Sequence, residues 1–104
     1  AAAIEALSGM GDEALAWIDA RFDQPQTKAR LALIEVLVRM KRPESTAILI
    51  RALEDPEAGV RIAAVQGLAR LGSRRAERRL VLMATSDPSP EVRQAIRKAL
   101  EGER

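Results

Sequence analysis

Asp55-Pro56-Glu57-Ala58-Gly59-Val60-Arg61 returns 32 residues later as Asp87-Pro88-Ser89-Pro90-Glu91-Val92-Arg93. A blurred copy, Asp23-Gln24-Pro25-Gln26-Thr27-Lys28-Ala29-Arg30, begins 32 residues before the first of these. Self-similarity at a fixed period of 20–50 residues is the signature of a stacked repeat architecture. Each copy carries the same local physics. An Asp accepts hydrogen bonds from the unpaired amides that open a helix. A proline near that start fixes φ where a missing N–H costs little. An apolar residue and an arginine then enter the helix.

Working outward, apolar periodicity predicts seven helices and no strand. The first spans 1–10, with Ala2, Ala3, Ala6, Leu7 and Met10 on one stripe and Gly11 as its stop. The second opens at Asp12-Glu13 and runs through Trp17 to Phe22, its acids placed where the helix dipole favours them. The others cover about 27–40, 43–53, 56–71 (stopped by Gly72), 73–85 and 89–100. Superposing the copies aligns Ala29, Val60 and Val92; Arg30, Arg61 and Arg93; Leu33, Ala64 and Ile96; and Leu37, Leu68 and Leu100. The expected fold is therefore all-α: one domain over 1–104, an α-solenoid of stacked antiparallel helix pairs. Its units are 12–41, 42–72 and 73–101, after a partial unit over 1–11. Because Ala1-Ala2-Ala3-Ile4 begins inside a unit, a longer parent protein or self-association through the array ends is expected, since each unit shows its neighbour an apolar flank. The polar end, Glu101-Gly102-Glu103-Arg104, suits a stop to the array.

Composition narrows the function. The chain is 47% hydrophobic with one Phe, one Trp and no Tyr, so the core must come from small and branched aliphatics. Zero Cys removes disulfides and thiol chemistry and leaves the redox compartment open, with a cytoplasmic location preferred. Zero His removes the commonest metal ligand and the usual general base. No glycine-rich phosphate loop or elbow serine is present. The acids Asp12, Glu13, Asp19 and Asp23 sit at helix ends and do not have metal-loop spacing. No catalytic residue, metal or cofactor is expected, and no apolar run nears the roughly 18 residues of a membrane span. Charge is uneven: residues 1–60 hold 7 basic and 10 acidic side chains, and residues 61–104 hold 10 and 5. That bias would draw an acidic partner to the C-terminal half.

The run Val60-Arg61-Ile62-Ala63-Ala64-Val65-Gln66-Gly67-Leu68-Ala69-Arg70-Leu71-Gly72 resembles the second helix of a short HEAT repeat, of the HEAT-like class also found in phycobilin lyases. The Asp-Pro-x-x-x-Val-Arg opening and the Leu-Gly exit carry the likeness. Two units match closely over 55–100. The first matches more loosely, with one extra residue in its turn and Lys41-Arg42 in place of Leu-Gly. The resemblance implies a right-handed superhelix whose second helices line the concave face, and binding rather than catalysis. The His-Glu metal motifs of HEAT-repeat hydroxylases are absent.

Three surfaces stand out. Arg30, Arg61 and Arg93 form a ladder, either gripping an acidic partner or pairing with Asp23, Asp55 and Asp87 to fix the stacking. On a helical wheel Val60, Ala63, Ala64, Gly67, Leu68 and Leu71 make a core face, yet the opposite arc holds Ile62, Val65 and Ala69 beside Arg61 and Arg70. The preceding unit repeats this with Leu31, Ile34 and Val38, whereas the last has Gln94, Arg97 and Glu101. A solvent-facing arc is normally polar. The expected partner site is thus Leu31, Ile34, Val38, Ile62 and Val65, flanked by Arg30, Arg61, Arg39 and Arg70, in a non-catalytic protein-interaction module. Neighbouring helices covering these side chains is the other reading. Arg74, Arg75, Arg78 and Arg79, with Arg70, form a basic patch suited to duplex phosphates, though no aromatic is interleaved to stack bases. A tetrapyrrole chaperone is a further alternative that only the resemblance implies. Trp17 and Phe22 are expected to fill core.

Overall fold

The computed structural model describes residues 12–20 and 26–102. Six helices occupy them: α1 (Asp12–Ala20), α2 (Thr27–Met40), α3 (Pro43–Ala52), α4 (Ala58–Leu71), α5 (Glu77–Ser86) and α6 (Pro90–Gly102). No strand occurs among the described residues. The helix expected over 1–10, together with Phe22 and Asp23, lies outside them.

Helix ends follow from single residues. Pro43 and Pro90 stand first in α3 and α6, where the absent N–H is no loss. Gly72 closes α4 in the left-handed region at φ 66°, with its N–H on the Ala69 carbonyl and that of Ser73 on Leu68, a Schellman pattern. Lys41 ends α2 in the same left-handed region, at φ 52°. A side chain there brings Cβ against the next carbonyl oxygen. Lys41→Gly should therefore raise the unfolding free energy by about 1 kcal/mol, less the extra chain entropy of glycine; a denaturant melt that shifts downward would refute this.

Two expected starts differ. The aspartates do not cap the helices. Asp55 Oδ1 accepts from the Glu57 amide at 2.9 Å and Asp87 Oδ1 from the Ser89 amide at 2.9 Å, closing a turn ahead of each helix. Helix α4 consequently opens at Ala58, two residues past Pro56. Helix α5 opens at Glu77 rather than Ser73, because Ser73 Oγ instead takes the Ala76 amide at 3.3 Å in a preceding turn.

Helices pack on near neighbours. The second helix of each pair, α2, α4 and α6, lies beside the next, and α4 is flanked by both others. Helix α3 packs under α4, α5 under α6, and α1 against α3. Leu37, Leu49, Leu53, Val60, Leu68, Leu80, Val92 and Ile96 form one fully buried seam through the stack. Val60, Val92, Leu33, Ala64 and Ile96 occupy the core positions that the superposed copies assign them. Trp17 departs from expectation. Leu15 and Ile18 of α1 are buried, whereas Trp17 stays 39% exposed.

Candidate functional site

The arginine ladder is built into the joints between units. Arg30 on α2 donates through Nε and Nη2 to Oδ2 and Oδ1 of Asp55, at 2.7 and 3.2 Å. Arg61 on α4 repeats this one unit on, with Asp87 at 3.0 and 3.1 Å. Both rungs join a second helix to the turn of the following unit. Arg61 also donates through Nη1 to the carbonyls of Asp55 and Pro56 at 2.8 and 3.2 Å, and Arg93 through Nη1 to that of Asp87 at 2.6 Å. Burial pushes the Asp87 carboxyl up. The Arg61 hydrogen bonds, the Ser89 amide and the charges of Arg61 and Arg93 outweigh it and hold Asp87 below its ordinary value. Arg30, 7% exposed, is thus part of the interior, and Arg61 is mostly covered.

The apolar arc is also largely internal. Ile34 is 3% exposed and Val65 fully buried, so neither faces solvent. The reason is the stacking order: a second helix with a partner below it and further second helices on both sides is covered over more of its circumference than a one-sided wheel allows. Gly67 lets α2 come close, since a Cβ there would sit 2.8 Å from Val38 Cγ2. Leu31, Val38, Ile62 and Ala69 remain half-buried.

What stays open is a groove of about 540 Å³ between α2 and α4. Leu31, Ile34, Val38, Ala63 and Gly67 line it, with Glu35, Arg39, Gln66 and Arg70 alongside. Gln66 and Arg70 also border a second hollow of about 350 Å³ between α4 and α6, with Ala69, Ala95, Lys98, Ala99 and Gly102. Gln66 and Arg70 thus border both hollows, which together are termed the furrow. Glu35, Gln66 and Lys98 stand at equivalent repeat positions and are all exposed. Arg39 lies 3.3 Å from Glu35, an exposed pair one turn apart that contributes little. Arg39, Arg70 and Lys98 leave the rim cationic.

Of the expected partner residues, the furrow brings together Leu31, Ile34, Val38, Arg39 and Arg70. It leaves Ile62, Val65, Arg30 and Arg61 in the joints. Glu35, Ala63, Gln66, Ala95, Lys98 and Ala99 went unnoticed in the sequence, although the 31–32 residue spacing of Glu35, Gln66 and Lys98 marks them as equivalents. The basic patch keeps most of its side chains exposed. Arg74 borders another hollow with Glu77 and Val81, Arg75 and Arg78 are exposed, and Arg79 pairs with Glu54 at 3.2 Å. Among the described residues no acidic cluster could hold a metal ion, and no helix is long and apolar enough to cross a membrane.

A family model described as HEAT repeats matches residues 14–101. A search of curated proteins returned no match.

Proposed function

Since the chain belongs to the HEAT-repeat family, whose members generally serve as protein-interaction scaffolds, we propose that it is a non-catalytic module binding an acidic, partly apolar segment of another protein along the second-helix furrow. The observation that carries this is the pair of hollows on either side of Gln66 and Arg70, which together touch α2, α4 and α6, with Leu31, Val38, Ala63 and Ala95 in their linings and a rim of Arg39, Arg70 and Lys98. An apolar centre inside a charged rim is the usual anatomy of a protein–protein site. The apolar lining supplies affinity, because each large side chain that a ligand buries is worth about 1.5–3 kcal/mol. The rim supplies orientation and association rate.

The test is selection of a displayed random-peptide library on the chain. Selected peptides should combine Asp or Glu with Leu, Ile or Phe. Their affinity should fall about tenfold or more in an Arg39→Glu/Arg70→Glu variant, equivalent to about 1.4 kcal/mol. Both arginines are exposed, so the melting curve should hardly move. Peptides lacking acids, or peptides bound equally by the variant, would place the partner elsewhere. Duplex DNA that binds and is lost only on charge reversal at Arg74, Arg75 and Arg78 would favour the phosphate alternative.

A further inference from the structure

The two hollows beside α4 differ in charge. Glu35, Arg39 and Arg70 are the ionisable side chains along the one between α2 and α4, and Glu35 offsets Arg39 from 3.3 Å away. Along the one between α4 and α6 the ionisable side chains are Arg70 and Lys98, with no acid beside them. Among the described residues neither of these two cations pairs with a carboxylate. Arg39, Arg70 and Lys98 are all exposed, so the difference lies in their company and not in their access to water.

The linings differ as well. Leu31, Ile34 and Val38 bring branched aliphatic chains to the α2–α4 hollow. The α4–α6 hollow rests on the methyl groups of Ala69, Ala95 and Ala99, all half-buried. Side chains this short leave room for a ligand side chain to lay its methylenes on them and bring a carboxylate to the two cations. Arg70 suits that contact as a planar fork that meets both carboxylate oxygens, and Lys98 as a compact point charge. A carboxylate set against methyl groups sheds part of its water, and in a less polar surrounding its hydrogen bonds to the cations strengthen. Glu35 acts in the other direction, since it repels a carboxylate that approaches Arg39.

We propose, resting on the two hollows as the partner site, that acid selection belongs to the α4–α6 hollow. Arg70 and Lys98 take a carboxylate of the bound segment there, whereas the α2–α4 hollow, with Arg39 offset by Glu35, binds without selecting charge. Lys98 is then a specificity-determining residue, and Arg39 is a cation of the rim that adds little to the choice of ligand.

Peptides selected from a random library on the parent chain supply the probes: an acidic peptide, and the same peptide with its acids replaced by their amides. Fluorescence polarisation reads the affinity of both for the parent and for Lys98→Glu, Arg39→Glu and Leu31→Ala variants. The measurement is made near physiological salt, where exposed charges more than about 8 Å apart are largely screened. The parent should prefer the acidic form about tenfold. Lys98→Glu should erase that preference. Arg39→Glu makes the same change in net charge and should keep most of it. Leu31→Ala should weaken both peptides by one factor and leave their ratio as it was. Lys98 and Arg39 are exposed, and circular dichroism establishes that their variants stay folded. Equal loss of preference in the Lys98 and Arg39 variants, a preference that survives Lys98→Glu, or a ratio altered by Leu31→Ala overturns the proposal while the hollows stand as the partner site. A parent chain that selects no peptide combining acidic and apolar residues overturns the partner site and the proposal together.

Discussion

Asp55→Ala should lower the unfolding free energy by about 3–5 kcal/mol, the cost of leaving one member of a buried ion pair without the other. Arg30 is 7% and Asp55 9% exposed, and the carboxylate meets the guanidinium with both oxygens. Removing it takes the carboxylate from a guanidinium that is mostly shut away from water, and it frees the Glu57 amide that Oδ1 holds at 2.9 Å. Arg30→Ala strands the opposite charge. Because the two act on one interaction, an Arg30→Ala/Asp55→Ala double variant should cost much less than the sum of the single variants, a shortfall that a double-mutant cycle reads directly. Urea denaturation of the four proteins decides it. A single-variant loss below about 1 kcal/mol would put the pair in the class of surface bridges.

Leu49→Ala should cost about 2–5 kcal/mol, the range for truncating a buried leucine when the surroundings cannot close over the gap. Leu49 is fully buried on α3, and its two methyl carbons lie 3.5 and 3.6 Å from where a Cβ on Gly67 would stand. It fills the space beneath the glycine that lets α4 approach α2. The gap is hard to refill from above, since the same Cβ would meet Val38 Cγ2 at 2.8 Å. Gly67→Ala in the Leu49→Ala background should therefore restore little, although alanine is worth about 1 kcal/mol over glycine inside a helix. Full recovery by that second substitution would show that α2 yields easily and that the close approach is not a constraint.

These two sites also mark how far the sequence can be read. The period, the helix pairs and the core positions Val60, Ala64, Val92 and Ile96 are legible because burial leaves an apolar stripe at every repeat. The joints are less so. A wheel assumes one covered face, and in a stack the helix beside α4 covers a second, which makes Val65 interior and turns an apparent surface strip into packing. The ladder was legible as a set of arginines, but not its offset, since Asp55 lies 6 residues from Arg61 and 25 from Arg30, and sequence distance alone points to the wrong carboxylate partner. Three-dimensional closeness alone assigns Arg30 to Asp55 and Arg61 to Asp87. The furrow was half visible: Leu31, Val38, Arg39 and Arg70 follow from pattern. Gln66, Lys98 and the small residues Ala95 and Ala99 carry no signal until α4 and α6 are set side by side.

The one-unit offset of the ladder has a consequence for how such a chain can change length. Arg30 reaches Asp55 across 25 residues and Arg61 reaches Asp87 across 26, so every rung spans one repeat and none skips one. Excision of a whole repeat between Arg30 and Arg61 brings Asp87 to the place that Asp55 held, and the rung reforms with a new owner. Duplication of a repeat adds one donor and one acceptor in step. The rungs of 25 and 26 residues show that one residue more or less in a turn is absorbed, whereas an insertion that shifts a whole helix misplaces a carboxylate and incurs the destabilisation argued for Asp55→Ala. Changes of length near whole multiples of the repeat therefore preserve every joint, and changes that fall between them set each displaced joint against the fold.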